Sequence, residues 1–158
     1  MAATLTTGLM AGLFYAYACS VMPGLRRTDD RTIVAVMQRI NVAIVNGWFL
    51  VVFLGALVLA GLAAVLHLGA RPVLPWIVAG LVLYAATLAV TFGVNIPLNN
   101  ALDAAGDPDE IADPAAVRER FEVRWVRWNV VRAVTSTAAF GCLAWALVLH
   151  GRFVLVDT

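Results

Sequence analysis

The chain has 158 residues, 62% of them hydrophobic and 13% charged, with a mean hydropathy of +0.87. Soluble domains are about half apolar and about a quarter charged, so this composition belongs to a chain built for lipid. A formal charge of +1, with 11 arginines and no lysine, offers no basic face to nucleic acid.

Four apolar stretches are long enough to cross a hydrocarbon layer of about 30 Å, which needs about 20 helical residues. The expected architecture is an all-α, integral membrane four-helix bundle in one domain, residues 1–158, with helices at about 2–22, 30–67, 72–102 and 114–150. The first stretch lacks a preceding Arg or Lys, so it reads as a retained helix and not a cleaved signal. Gly8, Gly12, Ala16 and Ser20 recur every fourth residue, and such faces let helices approach closely. Gly8, Gly12 and Ala16 are therefore candidates for homo-oligomer contact, with Pro23-Gly24 expected to end the helix.

Thr28, Asp29 or Asp30 can cap the second helix. Its beginning is polar, holding Arg31, Gln38, Arg39, Asn41 and Asn46, and it is plainly apolar only from Gly47. The third helix ends in Asn95-Ile96-Pro97-Leu98-Asn99, where Pro97 removes one backbone hydrogen bond and predicts a kink. Asn95 and Asn99 are four apart and share a face. Residues 103–113 form an acidic loop, and Asp113-Pro114 is a cap followed by proline at the first helical position. The second and fourth helices exceed the bilayer, so their beginnings should protrude, with Arg118 and Glu122 spaced to pair. Nine arginines gather on the side of the two protruding helices, against Arg71 and Arg152 opposite, which predicts a multi-pass cell-membrane protein with both termini outside.

Phe121 to Arg132 reads FEVRWVRWNVVR. Trp125, Trp128, Asn129, Arg132 and Thr135 lie along one helical face. A mixed aromatic and cationic stripe suits a flat or anionic molecule, and equally a Trp and Arg anchor at the membrane surface. On this topology Tyr17, Arg39, Asn41, Asn95, Asn99, Trp128, Asn129 and Arg132 share one depth. Polar groups from four spans at one level mark a wet pocket, or amides and arginines that bridge helix ends.

Phe14-Tyr-Ala-Tyr17 before a proline, Met37-Gln-Arg-Ile-Asn41, Asn95-Ile-Pro-Leu-Asn99 and Trp125-x-x-Trp128-Asn129-x-x-Arg132, in that order, resemble the anthrone oxygenase-like family of small four-helix membrane proteins. The resemblance implies oxidation of an anthrone to a quinone by O2, without metal or flavin. On that reading Arg132, Asn99 and Tyr17 are the catalytic candidates. Arg39, Asn41, Asn95, Trp125, Trp128 and Asn129 bind a hydrophobic aromatic substrate. Arginine stabilises the oxyanion, asparagines donate to it, and tryptophans stack on the rings. No Asp, Glu or His falls within the expected cluster, so Tyr17 or water is left as the base.

His67 and His150 end two helices on the outer side, where a haem or metal ion is a weaker alternative. A proton-coupled exporter would need an acid within the membrane, and every Asp and Glu is expected in a loop, an extension or the tail. A non-catalytic accessory subunit or a small-molecule carrier stays open. Cys19 and Cys142 read as small hydrophobes.

Overall fold

A computed structural model of the chain describes residues 1–156, with side-chain surroundings described through residue 152. Its described part is all helix and turn. α1 (Ala2–Ala16) passes through a π turn (Tyr17–Val21) into α2 (Met22–Leu25). α3 (Asp30–Ile44) and α4 (Gly47–Leu66) follow, and then α5 (Leu74–Val90) passes through a second π turn (Thr91–Asn95) into α6 (Ile96–Asp103). α7 (Pro114–Val156) is one helix of 43 residues. Four helical runs are long and apolar enough to span a membrane: Ala2–Leu25, Gly47–Leu66, Leu74–Asp103 and Pro114–Arg152. That is the architecture of a multi-pass membrane protein.

The first span does not stop at Pro23. Met22 N–H reaches back five residues to the Tyr17 carbonyl, and Ile96 N–H does the same to Thr91. In both spans a proline follows one residue later. A proline ring clashes with the carbonyl four residues before it, and a widened turn makes room without breaking the helix. The kink expected at Pro97 thus takes the form of a π turn, and Pro23 carries a matching one. The helix ends beyond it, where Thr28 Oγ1 donates to the Leu25 carbonyl at 2.7 Å.

The second helix is divided, against the expectation of one run over 30–67. Asn46 is the cause, because its side chain closes both ends of the break. Its Oδ1 accepts from Phe49 N–H at 3.0 Å, and its Nδ2 donates to the Ala43 carbonyl at 2.9 Å. Only α4 spans. α3 is an amphipathic surface helix with Ile33, Val34, Met37 and Asn41 buried along one face, and Asp29 caps it through the Thr32 N–H at 2.9 Å.

α7 packs on α1 and α5, and α4 packs on both of these in turn. Three core layers stack along the bundle. Ala60, Val73, Ile77 and Leu143 fill one end. Met10, Phe14, Phe53, Tyr84 and Leu88 fill the middle. Met22, Ile33, Met37, Leu102, Phe121 and Trp125 fill the end nearest α3. Tyr84 is fully buried and donates to the Phe53 carbonyl at 2.8 Å, joining α5 to α4. Gly80 lets α5 close on α7, since a Cβ there would stand 2.9 Å from Leu143 Cγ.

Ion pairs hold the protruding end together. Glu122 bridges Arg26 at 2.7 Å and Arg118 at 2.6 Å, and Arg118 also pairs with Asp30 at 2.9 Å. Arg31 donates to the carbonyls of Pro108 and Ile111, which docks the acidic loop on α3. Gly106, at φ 89°, turns that loop in the left-handed region.

Candidate functional site

Between the middle core layer and the α3 layer lies a cavity of about 430 Å³. Its inner wall is built from Phe14 and Tyr17 of the first span, Met37 and Asn41 of α3, Phe53 of α4, Thr91 and Asn99 of the third span, and Trp125, Asn129 and Arg132 of α7. Its mouth opens between α4 and the third span, where Val45, Leu50, Leu54 and Phe92 are exposed. Asn100 and Asp103 complete the rim at its polar end.

Arg132 is the cavity's cation. It is 6% exposed, yet none of the carboxylates among the described residues pairs with it. Its Nη2 donates to Asn129 Oδ1 at 2.9 Å, and its Nε has no partner. The guanidinium carbon stands 4.5 Å from the Phe14 ring centroid and 5.2 Å from that of Trp125. Stacking on two aromatic faces offsets part of the desolvation of a buried cation, which runs to several kcal/mol, roughly. Arg132 lines the cavity, so an anion or water that enters it meets the guanidinium.

Side chains behind this face hold it rigid. Asn129 Nδ2 donates to the Phe14 carbonyl at 3.1 Å. Trp125 Nε1 donates to Asn99 Oδ1 at 2.8 Å, while Asn95 Nδ2 donates to the Trp125 carbonyl at 3.3 Å. Tyr17 lies 5.7 Å from Trp125, centroid to centroid. Trp125, Asn129 and Arg132 of the mixed stripe of α7 therefore face inward.

Of the residues expected in the site, Tyr17, Asn41, Asn99, Trp125, Asn129 and Arg132 line the cavity. Three do not. Arg39 is exposed on the outer side of α3, because two residues on a helix turn it about 200° away from Met37 and Asn41. It borders a separate outer groove with Gln38, Gly106 and Asp107. Trp128 is half-buried and sits one residue, about 100°, off the line of Asn129. Asn95 is fully buried behind Trp125, with its Oδ1 unpartnered.

Asp103 is a chamber residue that sequence reasoning assigned to the loop. It ends α6 and does not open the acidic loop, and Asn41 Nδ2 donates to its Oδ1 at 3.2 Å. The signal was present: Asp103 continues the four-residue spacing of Asn95 and Asn99. The aromatic lining of Phe49, Phe53 and Phe92 was also missed, since phenylalanines in an apolar helix carry no marker of a cavity.

At the other end of the bundle the rings of His67 and His150 lie 5.2 Å apart, centroid to centroid. His67 Nδ1 is bonded to the Ala63 carbonyl at 2.8 Å. Among the described residues no group of three or more His, Cys, Asp or Glu side chains gathers for a metal ion. Gly8, one of the candidates for oligomer contact, is covered within the chain by the Phe140 ring, 3.0 Å from where its Cβ would stand.

Fold and cavity together define a small multi-pass helical membrane protein with an aromatic and cationic chamber open on one side. The sequence profile of the family described as anthrone oxygenase matches residues 48–142, more than half of the chain. The chain belongs to that family. Asn95–Asn99 and Trp125–Arg132 fall inside the matched segment, while Phe14–Tyr17 and Met37–Asn41 precede it. No curated protein and no solved structure matches the chain.

Proposed function

We propose that the protein oxidises an anthrone-like polycyclic aromatic to a quinone with O2 in the chamber, without a resident metal or flavin. An anthrone is a carbon acid whose anion reacts with O2 by single-electron transfer. A protein needs to hold the flat rings, favour the anion and admit oxygen. The observation that carries this reading is Arg132, a buried guanidinium without a carboxylate partner among the described residues, set between aromatic faces. Such a permanent cation in a low-dielectric chamber stabilises a developing oxyanion without reorganising. Asn129 orients the guanidinium, and Trp125, fixed by Asn99, supplies a ring face beside it. Tyr17 stands against Trp125 as a second ring contact. The exposed apolar rim suits a substrate dissolved in the bilayer.

On the same reading the arginine-rich end, with the cavity mouth, faces the cytoplasm and both termini lie outside. Oxygen uptake by purified protein in detergent, with anthrone as substrate, tests the assignment. The parent should consume O2 above the buffer rate, and Arg132→Gln should fall by about 100-fold or more, the scale of losing one oxyanion donor. Buffer-level uptake by the parent removes this substrate class, and a carrier or accessory subunit then takes its place.

A further inference from the structure

We propose that Asp103 is the base that takes the ring proton from the substrate, an inference that rests on the oxygenase reading above. Asp103 lines the chamber, and among the described residues no other Asp, Glu or His does. Five other acids are committed elsewhere. Glu122 and Asp30 are in ion pairs, Asp29 and Asp113 cap helices, and Asp107 bonds its own loop. Asn41, itself buried in the chamber wall, donates to Asp103 Oδ1 and fixes the carboxylate at the polar end of the mouth.

Asp103 has a second side. It also lines the outer groove that runs along α3 past Gln38 and Arg39 to Gly106 and Asp107. One carboxylate therefore touches both the chamber and a groove open to solvent, which is the position a proton relay requires. Gln38 secures this arrangement by donating to the carbonyls of Leu102 and Gly106 at 2.9 and 3.0 Å, so the chain on either side of Asp103 is pinned to α3.

The step balances as follows. A C–H bond of the ring methylene breaks, the proton passes to a carboxylate oxygen of Asp103, and the electron pair spreads onto the ring carbonyl facing Arg132. A carboxylate is a weak base toward a carbon acid, so the cation that stabilises the oxyanion makes up the deficit. O2 accepts one electron from that anion and then joins the same carbon, giving a peroxide. Protonated Asp103 returns its proton to the peroxide. The second ring hydrogen and the distal hydroxyl leave as water, and the carbon becomes the new quinone carbonyl. One O2 is consumed and one water is released, with Asp103 again ionised.

Mixing the protein with anthrone under nitrogen isolates the proton step, because without O2 the bound anion accumulates and is read by its absorbance. Asp103→Asn keeps an oxygen acceptor for Asn41 and so preserves the clasp. The parent should form bound anthrolate. Asp103→Asn should bind neutral anthrone and ionise it about 100-fold more slowly, the usual scale for a lost general base. Asp103→Glu should recover part of that rate. Ionisation by Asp103→Asn at the parent's rate overturns the assignment and leaves the oxygenase reading standing. A parent protein that binds no anthrone removes the oxygenase reading and this inference with it.

Discussion

The guanidinium carbon of Arg132 stands 4.5 Å from the centroid of the Phe14 ring, and the carbonyl of the same Phe14 accepts from Asn129, which also accepts from Arg132. One residue of the first span thus serves as both cushion and anchor for the cation on α7. Asn129→Leu would leave Arg132 Nη2 without a partner and the Phe14 carbonyl with only the Tyr17 N–H of its own helix. The expected loss is about 1–3 kcal/mol, the desolvation of buried unsatisfied groups, read from thermal unfolding in detergent. Asn129→Asp should behave oppositely. It gives Arg132 a counter-ion, which offsets the lost donor to the Phe14 carbonyl, while affinity for an aromatic anion falls.

Asn46 closes both ends of the α3–α4 break. Asn46→Ala removes a helix cap together with the donor to Ala43, at about 1 kcal/mol for the cap alone. Amide hydrogen exchange at residues 43–49 should quicken while that at residues 53–60 stays unchanged. Unaltered exchange at 43–49 would mean that packing alone sets the break.

Gly80 and Gly12 give a paired test of helix contact. A Cβ at Gly80 would stand 2.9 Å from Leu143 Cγ and 3.2 Å from the Ala139 carbonyl, whereas one at Gly12 would meet nothing within 4 Å. Gly80→Ala should destabilise the protein by about 1–3 kcal/mol, the range for overpacking. Gly12→Ala should leave the unfolding temperature of the isolated protein unchanged.

Asp29 sets a pH dependence for α3. Its carboxylate accepts from the Thr32 hydroxyl at 2.6 Å and from the Thr32 N–H, and these bonds hold its pKa below the usual carboxylate range. A folded pKa below the unfolded value of about 4 means that the cap's contribution is fully present above that pH. It is lost as pH falls through the lowered folded value. Exchange of the first α3 amides should therefore quicken below about pH 4 in the parent. In Asp29→Asn, which caps without titrating, that step should disappear.

Much of the fold was legible because lipid imposes strong rules: long apolar runs and the Asp113-Pro114 cap each have one structural reading, whereas Pro23 reads as a stop and is carried through by a π turn. The chamber was partly legible for the same reason, since buried Asn and Arg are rare and their three- or four-residue spacing on α7 and the third span survives folding. What escaped was set by local geometry that composition does not mark. Asn46 looked like one more polar residue in a continuous helix, and only its two-sided capping geometry divides the run. Arg39 sits between two chamber-facing residues, Met37 and Asn41, yet helical rotation turns it outward. Asp103 looked like loop because an acidic stretch follows it, although its spacing from Asn99 already placed it on the polar face.

The central claim is that Arg132 receives an aromatic oxyanion, and binding tests it without relying on turnover. A hydroxyanthraquinone quenches tryptophan fluorescence, so its affinity for the parent and for Arg132→Gln can be followed across the pH at which its phenol ionises. The account predicts that the parent binds the ionised form more tightly, by about tenfold or more, equivalent to about 1.4 kcal/mol, and that Arg132→Gln loses this preference. Equal affinities for both forms in the parent, unchanged in Arg132→Gln, would contradict it.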